Sequence, residues 1–277
     1  MVATHDEIQH HDIQTRYANI SVLDTGGKGL PVLLIHGNSS CKGIFRHQIE
    51  YLKGDYRVLA LDLPGHGASS NASDPREVYS VPGYARTIME VLEKIGVNKI
   101  VVFGWSLGGH IGLEMLALNP KMIGLMICGT PPVAVGKENV ARGFCQSEHI
   151  RLTGKAGFTD EDVKNFASET NGVNAPHEPF MIEAVARTDG LARQYMFEAA
   201  VSPQATDQKL LVETSEVPLA IVNGAGDPFI NHDYVNGLNY KSLWKGQVFN
   251  LAGVDHAPFW EAPDIFNPIL AEFLKDF

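Results

Sequence analysis

Gly104-Trp105-Ser106-Leu107-Gly108 decides how this chain is read. It follows the β-branched run Lys99 to Phe103. It leads straight into Ile111, Met115, Leu116 and Leu118, apolar residues at helical spacing that end before Pro120. A strand that becomes a helix this abruptly leaves no room for side chains at 104 and 108, hence the glycines, and it lifts the Ser106 hydroxyl clear of the backbone. Ser106 is therefore the candidate nucleophile. The plain alternative is a serine capping a helix behind a glycine turn.

Outward from this pentapeptide, apolar runs alternate with helical patterns. Residues 12 to 24 read as two short strands, and the glycine turn at 26, 27 and 29 leads into Pro31 to Ile35. Further runs are Arg57 to Leu61, Met122 to Cys128, Val217 to Val222 and Gln247 to Leu251. Continuous apolar runs suit strands buried on both faces. Tyr84, Ile88, Val91, Leu92 and Ile95 recur at helical spacing before Gly96, and Ile265 to Phe277 forms a last amphipathic helix. This alternation predicts an α/β fold, a mostly parallel sheet with helices on both faces. It breaks between Thr130 and Thr214, where patches rich in Phe and Met take over. Residues 1–133 and 206–277 are assigned to the core, and 134–205 to a helical cap inserted after the sixth strand. Its apolar residues suit a satellite core as well as a ligand pocket.

Composition narrows the function classes. With 277 residues, 44% of them hydrophobic, the chain can bury one large core. A formal charge of −10 without a Lys/Arg cluster excludes nucleic acid and anionic membranes as expected partners. The N-terminus lacks the apolar core of a signal peptide, and no run reaches membrane-spanning length, so a cytoplasmic protein is expected. Cys41, Cys128 and Cys145 are odd in number, lack metal-ligand spacing, and read as free thiols. His10-His11-Asp12 is no metal site, because neighbours on a strand point to opposite faces. No metal or other cofactor is expected.

A serine nucleophile needs a base and a third group that orients the base. After such a turn, acid and histidine follow in chain order, with the histidine beyond the last strand. His256, in Gly253-Val254-Asp255-His256-Ala257-Pro258-Phe259, occupies that loop. His149 and His177 belong to the cap, and His232 starts a helix. Asp227, in Asn223-Gly224-Ala225-Gly226-Asp227-Pro228-Phe229, is the leading acid; Asp233 and Asp255 compete for the role. Oxyanion donors are expected from the N–H groups of Leu107 and of Asn38, in the loop His36 to Ser40. His36 reads as a pin for that loop, His110 as helix packing, and Asp62 and His66 of Asp62-Leu63-Pro64-Gly65-His66-Gly67 as turn residues bonded to backbone.

Together these motifs resemble the α/β-hydrolase family over essentially the whole chain. A closer similarity is to its serine-dependent N-acyl-homoserine lactonases, carried by HGNSS (36–40), VVFGWSLGGHIGLEM (101–115), GLMICGTPPV (124–133), VARTDG (185–190) and DHAPFWEAP (255–263). The resemblance implies a triad of Ser106, Asp227 and His256, an oxyanion hole of Asn38 and Leu107, and metal-free opening of a lactone ring through an acyl-enzyme. Trp105, Phe144, Phe158, Phe166 and Phe180 are the expected substrate-binding residues. The chain departs from the subgroup at Asp227, where glutamate can stand, and at Phe166, where a cap tyrosine is expected. The expected partner is a small lactone or ester, and the expected state a monomer or small homo-oligomer. A general carboxylesterase would use the same residues, and a small-molecule receptor of this fold would bind with negligible turnover. Dehalogenases and epoxide hydrolases of the fold use an aspartate nucleophile, which Ser106 argues against.

Overall fold

A computed structural model describes residues 8–118, 121–145, 149–172, 175 and 178–277; Pro120 and His177 lie outside them. Eight strands form one sheet: β1 (Gln9–Gln14), β2 (Asn19–Asp24), β3 (Pro31–Ile35), β4 (Arg57–Leu61), β5 (Ile100–Trp105), β6 (Met122–Cys128), β7 (Leu219–Gly224) and β8 (Phe249–Leu251). Their order is β1-β2-β4-β3-β5-β6-β7-β8. β1 and β2 pair antiparallel with each other, β2 pairs antiparallel with β4, and the remaining pairs are parallel.

The continuous apolar runs have a direct physical cause. Along β3 and β4, Leu33, Ile35, Leu59 and Leu61 enter one core, while Val32, Leu34, Val58 and Ala60 enter the other. Side chains of a strand alternate between faces, so a sheet covered on both sides needs apolar residues at every position. The first core is closed by α3 (Val81–Lys94) and α4 (Leu107–Leu118), through Tyr84, Ile88, Val91, Ile111 and Met115. The second is closed by α1 (Arg46–Leu52) and α12 (Pro263–Leu274), through Ile49, Leu52, Phe266, Leu270 and Phe273. Of these helices α3 shows its boundaries most plainly. Ser80 caps its start by accepting from the Gly83 N–H at 3.0 Å, and Gly96, at φ 72°, follows its end.

The short helix α2 (Pro75–Val78) precedes α3. Between β6 and β7 run α5 (Lys137–Gly143), a 3-10 turn (His149–Gly154), α6 (Asp160–Thr170), α7 (Pro179–Arg187), α8 (Gly190–Ala200) and α9 (Gln208–Thr214). α10 (His232–Asn236) and α11 (Pro258–Glu261) complete the set. The helix read as Ile265 to Phe277 is α12, which starts earlier, at Pro263, and ends at Leu274; the short α11 before it was not read from the sequence. β8 is shorter than the apolar run suggested, three residues at the edge of the sheet. Among the described residues no helix is long and apolar enough to cross a membrane. Cys41, Cys128 and Cys145 are free thiols.

An ion pair fastens the antiparallel end of the sheet. Arg57, at the start of β4, donates from Nη2 to Asp24 Oδ2 at 2.5 Å and from Nε to Oδ1 at 3.0 Å, and Asp24 also accepts from the Gly26 N–H at 2.8 Å. Burial pushes the Asp24 carboxyl up, but the Arg57 guanidinium and the Gly26 N–H outweigh it and hold the group below its ordinary value. A depressed carboxyl stabilises the fold above its unfolded pKa, and that contribution is lost as pH falls through the folded value. Arg57→Met leaves Asp24 buried without its cation and should cost about 1–3 kcal/mol at neutral pH. Urea titrations should show the deficit at pH 7 and its shrinkage as the pH is lowered through the carboxylate range.

Candidate active site

The loops that leave the C-terminal ends of β3, β5, β7 and β8 meet at one end of the sheet, the end where open α/β sheets bind ligands. The loop after β5 is the tightest. Ser106 has φ 54°, in the left-handed region that serine rarely enters, and its N–H donates to the Cys128 carbonyl at 2.8 Å. A Cβ at 104 would lie 2.3 Å from the Gly108 carbonyl oxygen, and one at 108 would lie 2.0 Å from the Ile35 carbonyl oxygen. The Thr130 hydroxyl braces the turn from below, 2.9 Å from the Ser106 carbonyl oxygen and 3.0 Å from that of Cys128.

His256 and Asp227 are hydrogen-bonded across two loops: His256 Nδ1–H donates to Asp227 Oδ2 at 2.7 Å. The second carboxylate oxygen, Oδ1, accepts from the Phe229 N–H at 2.9 Å. Both side chains are buried. With Nδ1 occupied as donor, Nε2 keeps the lone pair a base requires. The ring is held by an edge contact with Phe229, centroids 4.7 Å apart, and the Trp105 indole N–H donates to the His256 carbonyl at 2.9 Å. Backbone bonds dock the two loops, Gly226 N–H to the Val254 carbonyl at 3.0 Å and Ala225 N–H to that of Leu251 at 2.8 Å. Glu261 accepts from the N–H groups of Asp255 at 2.9 Å and Ala257 at 3.3 Å, one on each side of His256. Burial raises its carboxyl pKa.

The loop after β3 approaches Ser106 from the other side. Its Asn38 side chain is committed, donating to the Thr153 carbonyl at 3.0 Å and accepting from the Ser39 hydroxyl at 3.3 Å, so the main-chain N–H is what this residue can offer a ligand. Leu107 is the first residue of α4, so its N–H has no acceptor inside the helix. His36 holds the loop from beneath: Nδ1–H donates to the Gly37 carbonyl at 2.7 Å and Nε2 accepts from the Leu63 N–H at 3.0 Å. Burial lowers its pKa and keeps the ring neutral. The neighbouring turn holds itself as the sequence suggested: Asp62 accepts from the N–H groups of Lys42 at 2.7 Å and Ala68 at 2.9 Å, and His66 Nδ1 lies 3.0 Å from the Pro64 carbonyl oxygen.

Ser106 and His256 open into one cavity of about 610 Å³, whose walls include Asn38, Trp105, Leu107, Phe144 and Phe166. Two residues expected to touch a ligand are elsewhere. Phe158 packs on Phe166 and lies 3.9 Å beneath the Arg193 guanidinium, and Phe180 meets Trp260 edge-on at 5.7 Å, next to Gly43. Phe158 serves a satellite cluster and Phe180 packs on the second core, roles that helical spacing alone does not distinguish from a pocket wall. Conversely Met196, Phe197 and Phe229 line the cavity, and so does His110, which the sequence placed in helix packing.

The sequence also left the attachment of the inserted helices unread. VARTDG is a latch rather than a wall of the cavity. Arg187 donates to the Ser69 carbonyl at 2.7 Å, and Asp189 accepts from the Tyr79 hydroxyl at 2.7 Å while its N–H donates to the Gly65 carbonyl at 2.9 Å. Buried Arg193 donates to the carbonyls of Lys155 and Ala156 and to the Ser39 hydroxyl, tying α8 to the residue beside Asn38; burial lowers its pKa to about 10. Among the described residues no three His, Cys, Asp or Glu side chains gather where they could hold a metal ion.

A serine on a strained strand-to-helix turn, with a carboxylate-bound histidine from later loops, is a hydrolase arrangement. The family model for the alpha/beta hydrolase fold matches residues 31–263, and the chain belongs to that family. A crystal structure of a variant of the N-acyl homoserine lactonase AidH complexed with N-hexanoyl homoserine superposes with a TM-score of 0.94 at 44% identity, covering 98% of this chain and 97% of that one. Epoxide hydrolase 4 of Mus musculus is 32% identical over 99% of this chain and 80% of its own length. A haloalkane dehalogenase of Psychrobacter cryohalolentis is 30% identical, but the match spans only 50% of this chain and 45% of that protein.

Gly37 gives a test of the loop geometry that does not depend on the substrate. A Cβ there would lie 3.0 Å from the Trp105 ring and 3.2 Å from Ser106 Cβ, so the loop must back away by a few tenths of an ångström. Gly37→Ala should lower kcat by up to about 100-fold, the order expected when a positioned group shifts by a fraction of its contact distance. Steady-state hydrolysis of an aryl ester, read beside a thermal melt that moves little, checks it.

Proposed function

We propose that this protein opens the lactone ring of N-acyl-homoserine lactones by serine catalysis, without a metal ion. The observation that carries the reading is the cavity that Ser106, on its strained turn, shares with His256, a histidine hydrogen-bonded to Asp227 at 2.7 Å. The likeness to AidH over nearly the full length of both chains supports the substrate class. Residues 134–205 act in this reading as the cap over the cavity, contributing Phe144, Phe166 and Met196 to its walls.

In the first half-reaction Ser106 Oγ attacks the lactone carbonyl while His256 Nε2 takes its proton. The tetrahedral oxyanion is held by the N–H groups of Asn38 and Leu107, both on the cavity wall; a donor of this kind is worth roughly 2.7–4 kcal/mol in the transition state. Asp227 keeps the imidazole in its tautomer and stabilises the imidazolium. When the ring C–O bond breaks, the alkoxide remains tethered to the acyl group and His256 must return the proton before the ring recloses. Water, deprotonated by the same histidine, then attacks the acyl-enzyme, and the N-acyl-homoserine leaves with Ser106 reprotonated.

Epoxide and haloalkane chemistry by a carboxylate nucleophile is disfavoured because position 106 holds a hydroxyl. A general carboxylesterase is the second reading, since the same groups would act on an open-chain ester. Proton release from acyl-homoserine lactones and aryl esters, compared at equal concentration, separates the two: the lactones should have the higher kcat/KM.

Ser106→Ala should abolish acyl-enzyme formation and turnover; an unchanged rate refutes the mechanism. Asp227→Asn should lower kcat by as much as about 10,000-fold through loss of the correct tautomer. A near-normal rate in that variant moves the orienting acid elsewhere.

A further inference from the structure

The cavity carries a polar strip that the reaction above leaves unused. His110 and Glu114, four and eight positions beyond Ser106, lie on one face of α4, and both line the cavity. Gln208 meets His110 at two points: its Nε2–H₂ donates to the His110 carbonyl at 3.2 Å, which turns its Oε1 toward the ring, 2.7 Å from Nδ1. The ring therefore carries its proton on Nδ1 and presents the Nε2 lone pair as an acceptor. Burial lowers the pKa of His110 and keeps it neutral. Glu114, 5% exposed, has Oε2 buried without a hydrogen-bond partner. His110 Nε2 is thus an acceptor on the cavity wall, and the Glu114 carboxyl one turn further on has an oxygen whose hydrogen-bonding demand is unmet. Of the three cationic side chains on the cavity wall, Arg86 pairs with Glu77 at 3.0 Å and Arg76 lies over the Tyr195 ring at 4.2 Å, while Lys137 belongs to α5.

Spacing selects the part of a substrate that meets the strip. The His110 N–H donates to the Ser106 carbonyl at 3.2 Å, the i to i+4 bond of a helical turn, so the two residues are about 6 Å apart along the helix axis. In an extended N-acyl-homoserine lactone the C3 atom of the acyl chain is five bonds from the lactone carbonyl carbon, a span of about 6 Å at amide bond lengths. We infer that the tail runs along α4 and that His110 Nε2 accepts from a hydroxyl on acyl C3, so the enzyme selects 3-hydroxyacyl-homoserine lactones over unsubstituted and 3-oxo ones. A 3-oxo group brings only lone pairs to an acceptor and is disfavoured. The inference rests on the lactonase reading and extends it to the tail.

The test is a set of kcat/KM ratios at one chain length, 3-hydroxy over unsubstituted and 3-hydroxy over 3-oxo, each measured on a single preparation so that the folded fraction cancels. The wild type should prefer the 3-hydroxy lactone by about 5-fold, the worth of one net hydrogen bond. His110→Leu should bring the first ratio close to one. Gln208→Leu frees the tautomer and should shift the second ratio toward the 3-oxo lactone, a change that a merely structural role of Gln208 would not produce. A wild-type ratio at or below one overturns the inference and leaves the lactonase reading standing. A preference that survives His110→Leu also overturns it, and failure to hydrolyse any lactone overturns both.

Discussion

Everything at this site depends on how closely α4 is allowed to approach β3. The α-carbon of Gly108 sits against the carbonyl of Ile35 so tightly that an added methyl group would lie 2.0 Å from its oxygen. That contact sets where the helix starts, and with the crowding of Gly104 on Gly108 it forces the chain to turn at Ser106 through a left-handed conformation. Strain of this kind costs of order 1–3 kcal/mol and persists only where surrounding structure over-determines it. Here the bonds from Ser106 N–H to Cys128 and from Thr130 to Ser106 and Cys128 supply that support.

The same approach aligns the other parts. Because α4 begins at Leu107, the N–H of that cavity-lining residue has no acceptor inside the helix, and residues four and eight positions beyond Ser106 fall on the same wall. The β3 loop is pinned from below by neutral His36 and from above by Arg193, so Asn38 is held between the core and the inserted helices. The attachment of those helices through Arg187, Asp189 and Arg193 gives VARTDG a physical role: it positions the roof of the cavity without touching what binds beneath it.

Much of the fold was legible in the sequence. β3, β4 and β6 have the bounds of their apolar runs, because strands buried on both faces leave an uninterrupted hydrophobic signature. The edge of the sheet was less legible: β8 shrinks to three residues. Phe158 and Phe180 were expected at the ligand and pack elsewhere, whereas Met196, Phe197 and His110 reach the cavity. Apolar periodicity reports that a helix face is buried, and it carries no information about whether protein or ligand buries it.

The sequence by itself determined the order of strands and turns, the class of fold, and which serine, histidine and aspartate could act together, because each is marked by local chemistry: glycines where chains crowd, a carboxylate and an imidazole on loops that end strands. Only the tertiary structure decided what surrounds them. Which aromatic rings form the walls, which nitrogen of His110 bears the proton, and how the inserted helices are latched all depend on contacts between residues far apart in the chain, for example 98 positions between His110 and Gln208. Local sequence specifies backbone conformation through short-range sterics and hydrogen bonding. The shape and polarity of a cavity are set by packing between elements, which no single stretch of sequence encodes.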